Sequence, residues 1–428
     1  MQSKLTIAAL ALAPLAFTAA PASAQYGGAA PAQPRVNLPP PTTQTTKPAP
    51  GERKLNLSKA AVKAVRELQV AVDSNDTANL PAKLAAAQAV ASTADEKYVV
   101  AQLQLKAAVA SKNEADMERA LGAMLASGGA DQAQTERLYL NLGKIQYKNK
   151  QYPAAAASFE RVLATSPAHT DALVLLAETK KSQNQVGDAI SLLQRALQAK
   201  SANGQKADEE WYKRAVAIAY EAQLPVAIEL SRQWVAAYPT PGNWRDALRV
   251  YRKLGNLSDV QTLDTLRLAR AAGALSGDAD FHLFAYSASG ASSPGEARSL
   301  IDEAIAAKQI DPNKPLFRDI TGTLKTNKAM ARADLPQLAK EALAASAARL
   351  AVRTGDAYYG YGDYARAAEL YRAALTKSGA DANLINLHLG MALARAGDKA
   401  GATAALNTVT GAQTELAKFW LVYVATHA

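Results

Sequence analysis

The chain has 428 residues, with 48 lysines and arginines against 38 aspartates and glutamates and a formal net charge of +10. That length exceeds one ordinary hydrophobic core, so it either divides into domains or builds a quasi-one-dimensional array. The positive charge is dispersed, with neither a like-charged block nor a reading motif, which excludes nucleic acid as a partner. The absence of cysteine excludes disulfides, thiol catalysis, zinc–thiolate sites and lipid attachment at a cysteine.

Residues 1–24 combine an early basic residue, Lys4, an apolar run from Leu5 to Phe17 and the small-residue stretch Ala22-Ser23-Ala24. This is the pattern of a cleavable signal peptide, cut between Ala24 and Gln25, and it directs the protein to the periplasm or outside the cell. The apolar run is interrupted by Pro14 and falls short of the roughly 20 residues a membrane anchor needs. Residues 25–54 are rich in proline, threonine, glutamine and alanine and nearly devoid of large apolar groups, so they read as a disordered linker. No later segment is long and apolar enough to span a bilayer.

Beyond Leu55, alanine- and leucine-rich stretches of helical period alternate with short Gly, Asn, Asp or Pro turns, which predicts helical hairpins stacked in order. Two weakly marked pairs occupy 55–130. The block 131–240 repeats: Tyr139, Leu142, Gly143, Ala155, Phe159 and Pro167 are followed 34 residues on by Ala177 for Gly143, Ala189 for Ala155, Leu193 for Phe159 and Ala196 for Val162. A third copy follows a four-residue insertion, with Trp211, Ala215, Ala227, Trp234 and Pro239 in the corresponding slots. Degenerate hairpins fill 241–350, spanning Trp244–Leu275, Phe281–Lys308 and Leu316–Leu350. A further pair covers 351–413, where Gly355 and Ala367 recur 35 residues later as Gly390 and Ala402. The closing helix, 414–428, carries Phe419, Trp420, Val422, Tyr423 and Val424, suited either to capping the last hairpin or to contacting a second copy of the chain.

These spacings resemble the tetratricopeptide repeat signature W-x2-L-G-x2-Y…A-x3-F…P. The resemblance is specific over the repeated blocks and architectural elsewhere. It implies an all-α fold, a right-handed superhelical solenoid of stacked antiparallel helix pairs, in an exported bacterial protein. Small residues at Gly143, Ala155, Ala177 and Ala189 let paired helices approach, and Tyr139, Phe159 and Leu193 fill the space between neighbours.

Reactive constellations are not found in the sequence. His169, His282, His388 and His427 are scattered, with no metal-binding spacing. Gly360-Tyr361-Gly362-Asp363-Tyr364-Ala365 fits a dinucleotide fingerprint on paper, but it follows a helix rather than a strand and coincides with a repeat turn. The acidic pairs Asp95-Glu96 and Glu209-Glu210 sit at helix starts, where they complement the helix dipole. No enzymatic activity, cofactor or metal is expected.

In chains that resemble this family, the first helix of each pair lines a groove for peptide segments. Register then nominates Arg137, Lys144, Tyr147, Lys148, Lys181, Tyr212, Tyr220, Arg349, Tyr359 and Arg395 as partner-facing, a set suited to acidic, partly apolar protein segments. The family's clamp for a terminal carboxylate is not evident, since Val174 and Leu175 occupy the neighbouring slots of the second repeat. The function expected is that of a non-catalytic protein-interaction scaffold or adaptor in the bacterial cell envelope, in envelope or exopolysaccharide-export assembly. Two alternatives remain: an enzyme or regulatory subunit acting on cell-wall glycan, with its chemistry in 241–350, and a structural homo-oligomer joined through the closing helix.

Overall fold

A computed structural model describes residues 55–290, 293–326 and 332–427. The expected leader, 1–24, and all of the linker, 25–54, lie outside the described residues. Among the latter every regular element is helical, and a single isolated bridge joins Ala347 to Ser378. The chain divides into two compact units, the first ending at Gln205 and the second starting at Lys206, so the expected repeat block 131–240 straddles the division.

The first unit is four helix pairs: α1 (Lys59–Asp73) with α2 (Leu80–Val90), α3 (Ala94–Ala110) with α4 (Glu114–Ala126), α5 (Gln132–Lys148) with α6 (Tyr152–Thr165), and α7 (Thr170–Ser182) with α8 (Val186–Ala202). Each helix packs chiefly on its chain neighbours, as in a solenoid. The acidic residues at helix starts behave as the sequence suggests. Glu96 is fully buried, and its carboxylate accepts the backbone N–H groups of Ser58 (2.9 Å), Ser92 (2.8 Å) and Thr93 (3.0 Å). Those donors hold it far below the usual carboxylate range and tie the entry of α1 to the capping box of α3.

The second unit contains α9 (Glu209–Glu221) and α10 (Val226–Ala237), α11 (Pro241–Leu254) and α12 (Asp259–Ala271), α13 (Gly277–Gly290) and α14 (Pro294–Ala306), α15 (Pro315–Thr326) and α16 (Leu335–Ala344), α17 (Ala348–Gly360) and α18 (Tyr364–Leu375), α19 (Ala382–Ala396) and α20 (Lys399–Asn407), and α21 (Thr414–Thr426). Glu209, at the start of α9, instead ties three helices through side chains, accepting from Trp234 Nε1 of α10 (3.1 Å) and Asn243 Nδ2 of α11 (2.8 Å).

One turn recurs in both units between the two helices of a pair. A residue in the left-handed region stands at Lys112, Lys150, Asn184, Gln223, Asn256, Gly362 and Gly397. In six of these turns the following N–H reaches back to a carbonyl of the helix just ended, as Gln151 to Gln146, Gln185 to Lys180 and Asp398 to Leu393 do. This is the Schellman closure, which satisfies orphan carbonyls while reversing the chain. Gly362 of the nucleotide-like motif is one of these turns, with φ +82°. Its companion Gly360 marks a helix crossing, since a Cβ there would lie 2.6 Å from Glu296 Cβ on α14.

The repeat register has a steric signature. A Cβ on Gly143 would fall 2.6 Å from Phe159, one on Gly355 2.8 Å from Tyr371, and one on Gly390 2.5 Å from Leu406. Each partner lies the same number of residues downstream, on the second helix of the pair. The tyrosine slot of the signature holds Gln146 instead, whose buried amide oxygen accepts from Ser158 Oγ at 2.7 Å.

The second unit departs from a simple stack in two places. The hairpin expected over Leu316–Leu350 is split: Phe317, Ile320 and Leu324 of α15 join a core with α13 and α14, whereas Leu335 and Ala342 of α16 join the core of α17 and α18. In addition, α21 does more than cap the last hairpin. It packs on α10 and α12 as well as on α19 and α20, with Phe419 beside Trp244 and Tyr251 and with Arg232 of α10 bonded to Glu415. Leu416, Phe419 and Trp420 are fully buried there, whereas Val422 and Tyr423 are half-buried.

Candidate protein-binding surfaces

The nominated residues fall into two groups, one in each unit. In the first unit, Arg137, Lys144 and Lys148 share one face of α5, since spacings of seven and four return to the same side of a helix. Arg137 and Lys148 are exposed and Lys144 is half-buried, without an ion pair among the described residues. Lys148 reaches Glu114 at the start of α4. The Tyr147 hydroxyl lies 3.3 Å from Ser182 Oγ at the end of α7, next to Lys181, and its ring packs against Tyr152 at 5.6 Å. The structure thus brings Lys144, Tyr147, Lys148 and Lys181 to neighbouring ends of two first helices.

In the second unit the nominated residues are dispersed. Tyr212 and Tyr220 are half-buried on α9, with Tyr212 edge-on to Tyr238 (6.1 Å), while Arg349 is exposed on α17. Arg395 bonds the Tyr364 hydroxyl (3.0 Å) and covers its ring. Tyr359 is not on the surface: it is 6% exposed, its ring under the Arg267 guanidinium, and burial pushes its phenol well up. Helical register placed Tyr359 outward, but α14 and α12 cover that side of α17.

Beneath Tyr359 lies an ion cluster that local sequence reading did not identify. Arg267 of α12 donates to Asp264 (2.8 Å) and, through a two-pronged contact, to Glu296 of α14 (2.6 and 3.0 Å). Asp264 also meets His388 Nε2 of α19 (3.1 Å), and His388 Nδ1 stands 3.1 Å from Asp356 of α17, which accepts the Tyr371 hydroxyl (2.7 Å). Burial alone would lower the His388 imidazole, but Asp264 and Asp356 together raise it to about 10. Burial would likewise raise both aspartates, yet His388 and Arg267 hold them below the ordinary value. Asp264 is 0% and Arg267 4% exposed, so the converging carboxylates are filled by their own counter-ions rather than opened to a substrate. The only local hint was Asp264 and Arg267 set among Leu263, Leu266 and Leu268 on the apolar side of α12.

The remaining histidines have local roles. His169 accepts the Ala172 N–H as the N-cap of α7, His282 stacks on Tyr286, and His427 stacks on Tyr423. Among the described residues no group of histidine and carboxylate side chains is arranged to hold a metal ion, and no helix is long and apolar enough to cross a membrane.

Models of the tetratricopeptide repeat match residues 146–206 and 352–415. No curated protein matches the sequence. Among solved structures, the chain is similar to a tetratricopeptide repeat protein from Parabacteroides merdae at 15% identity, covering 70% of this chain and 99% of that one, with a TM-score of 0.28. It is similar to PilF of Pseudomonas aeruginosa at 12% identity, covering 62% and 98%, with a TM-score of 0.27. A third likeness is to the Naa15/Naa10 complex bound to HypK-THB, at 14% identity, covering 83% and 65%, with a TM-score of 0.31.

Proposed function

We propose that this chain, which carries tetratricopeptide repeats over 146–206 and 352–415, is a protein-interaction scaffold that serves the bacterial cell envelope after export, holding acidic, partly apolar segments of partner proteins on the first-helix faces of its repeats. The observation that carries the reading is the grouping on α5 and α7, where Lys144, Tyr147, Lys148 and Lys181 combine cationic heads with aromatic area. Tyrosine offers a large contact surface with few rotatable bonds, and the lysines steer and orient acidic groups. Export rests on the signal-like pattern of residues 1–24. A role in envelope or exopolysaccharide-export assembly belongs to the same proposal.

Replacing Arg137, Lys144 and Lys148 together by glutamate tests the reading. Crosslinking in intact cells should recover partner proteins with the parent chain and lose most of them with the triple variant, while helical content by circular dichroism stays unchanged. Recovery of the same partners at the same yield would overturn it. The alternative of a glycan-acting enzyme would need an accessible acid pair in 241–350; Asp264 and Glu296 do not supply one, being enclosed around Arg267.

A further inference from the structure

Positive residues are spread along the chain, but the acidic ones that balance them are not. Residues 67–428 hold 40 lysines and arginines against 37 aspartates and glutamates and are close to neutral. Residues 25–66 hold seven against the single acid Glu52. Four of the seven, Arg35, Lys47, Arg53 and Lys54, precede the described residues, and the other three, Lys59, Lys63 and Arg66, are exposed on α1. A charge excess confined to one short stretch bears on partners rather than on folding.

Lys59, Lys63, Arg66 and Val70 follow one another at intervals of four, three and four, so they share the side of α1 away from its buried Val65, Leu68 and Val72. None of the three cations makes an ion pair among the described residues. The acids around them are engaged elsewhere. Glu67 holds Lys83 of α2 at 2.8 Å, and Asp73 holds Lys106 of α3 at 2.5 Å. Asp95 and Glu96 of α3 are buried and accept the backbone N–H groups of Asn56 and Ser58. Lys59 and Lys63 also stand near the positive end of the helix dipole, and the first turn of α1 carries no acidic residue. Cations placed there lower stability, so the fold gains nothing from them.

The same helix pair indicates which kind of anion fits. Neither α1 nor α2 carries an aromatic residue, the usual anchor of a protein interface. Val70, at the end of the cationic stripe, is 62% exposed. Helix α2 has no acidic residue and turns Ala82, Ala85, Ala86 and Ala89 outward. Dispersed cations bordered by short aliphatic groups suit a bilayer surface, which rewards charge and shallow contact without a shaped pocket.

We propose that α1, with the basic residues that precede it, rests on a surface of anionic phospholipid. Lys59, Lys63 and Arg66 lie among the phosphate groups and Val70 meets the edge of the acyl layer, with no part of the chain crossing the bilayer. The inference rests on the envelope setting of the proposed function and uses a surface separate from the α5 and α7 group.

The test measures co-sedimentation of the full chain with phosphatidylcholine vesicles, with and without about 30% phosphatidylglycerol. Phosphatidylglycerol should raise the partition coefficient of the parent about tenfold or more, and Lys59→Glu with Lys63→Glu and Arg66→Glu should remove most of that gain. Lys340→Glu with Arg353→Glu and Lys399→Glu, at exposed cations of the second unit, changes the net charge equally and should keep it. Sodium chloride at about 0.5 M should abolish the gain by screening. The thermal midpoint of the α1 variant should not fall, since glutamate suits the start of a helix. Equal gains in the parent and the α1 variant overturn the proposal, as do equal losses in the two triple variants or a gain that survives the salt. A lowered midpoint in the α1 variant, which would mark the three cations as part of the fold, overturns it too. In cells, Lys63→p-benzoylphenylalanine should photocrosslink to phospholipid, and adducts with protein alone overturn the lipid assignment. A chain that gains nothing from phosphatidylglycerol yet crosslinks to partner proteins refutes this surface and leaves the scaffold reading standing. A chain retained in the cytoplasm refutes the envelope setting, while the vesicle comparison still decides the surface.

Discussion

His388 is the residue whose environment differs most from what its local sequence suggests. Flanked on α19 by Leu387 and Leu389, it reads as a packed imidazole, yet it sits between Asp264 and Asp356 as a buried cation. Its folded pKa of about 10 exceeds the ordinary 6.5. The stabilisation it contributes is therefore whole below pH 6.5 and is lost as pH rises through 10. Asp264 and Asp356 work in the opposite sense, contributing above their ordinary 3.8 and losing that contribution as pH falls through their lower folded values. The cluster should be most stabilising between those limits, and the urea midpoint should drop from pH 6 to pH 9.5. His388→Gln should flatten that slope, and an unchanged slope would place its source elsewhere. Removing one partner leaves the others buried without compensation, so Arg267→Ala should cost about 3–5 kcal/mol by denaturant unfolding. None of this was legible locally, because His388 and Asp264 are 124 residues apart and each is an unremarkable polar residue on its own helix.

The helix pairs, by contrast, announce themselves. A small residue at Gly143, Gly355 or Gly390 and a bulky one on the following helix are two ends of a single contact, so their spacing is preserved wherever the pair geometry is. Gly390→Ala would set a methyl group 2.5 Å from Leu406 Cγ and should lower stability by about 1–3 kcal/mol through overpacking. Gly122→Ala, on α4, meets nothing within 4 Å and should raise stability by about 0.5–1 kcal/mol through helix propensity. Thermal midpoints moving in opposite directions would bear this out, and parallel shifts would refute it. The same logic explains why α15 and α16 were misread as a hairpin. Their helical periods are intact, but period reports only that an apolar face exists and says nothing about which neighbour covers it. Among the candidate site residues the outcome was uneven for that reason. Arg137 and Lys148 of α5 are exposed and Lys144 and Tyr147 half-buried, while register could not foresee that α12 and α14 would cover Tyr359.

At the largest scale, the second unit departs from a linear array most clearly at α21, whose Phe419 and Trp420 complete a core begun at Trp244 and Tyr251. An open solenoid would have contacts only between chain neighbours, whereas the bond from Arg232 to Glu415 spans 183 residues. Such long-range closure slows folding, because the loop entropy is lost before the contact forms. It also sets an order of events during biosynthesis. The residues of α10 to α12 leave the ribosome long before α21 does, and until then Trp244 lacks part of its cover. A nascent chain in this condition lacks the closing contact of that core, and it should be more open to proteases until synthesis has passed Trp420.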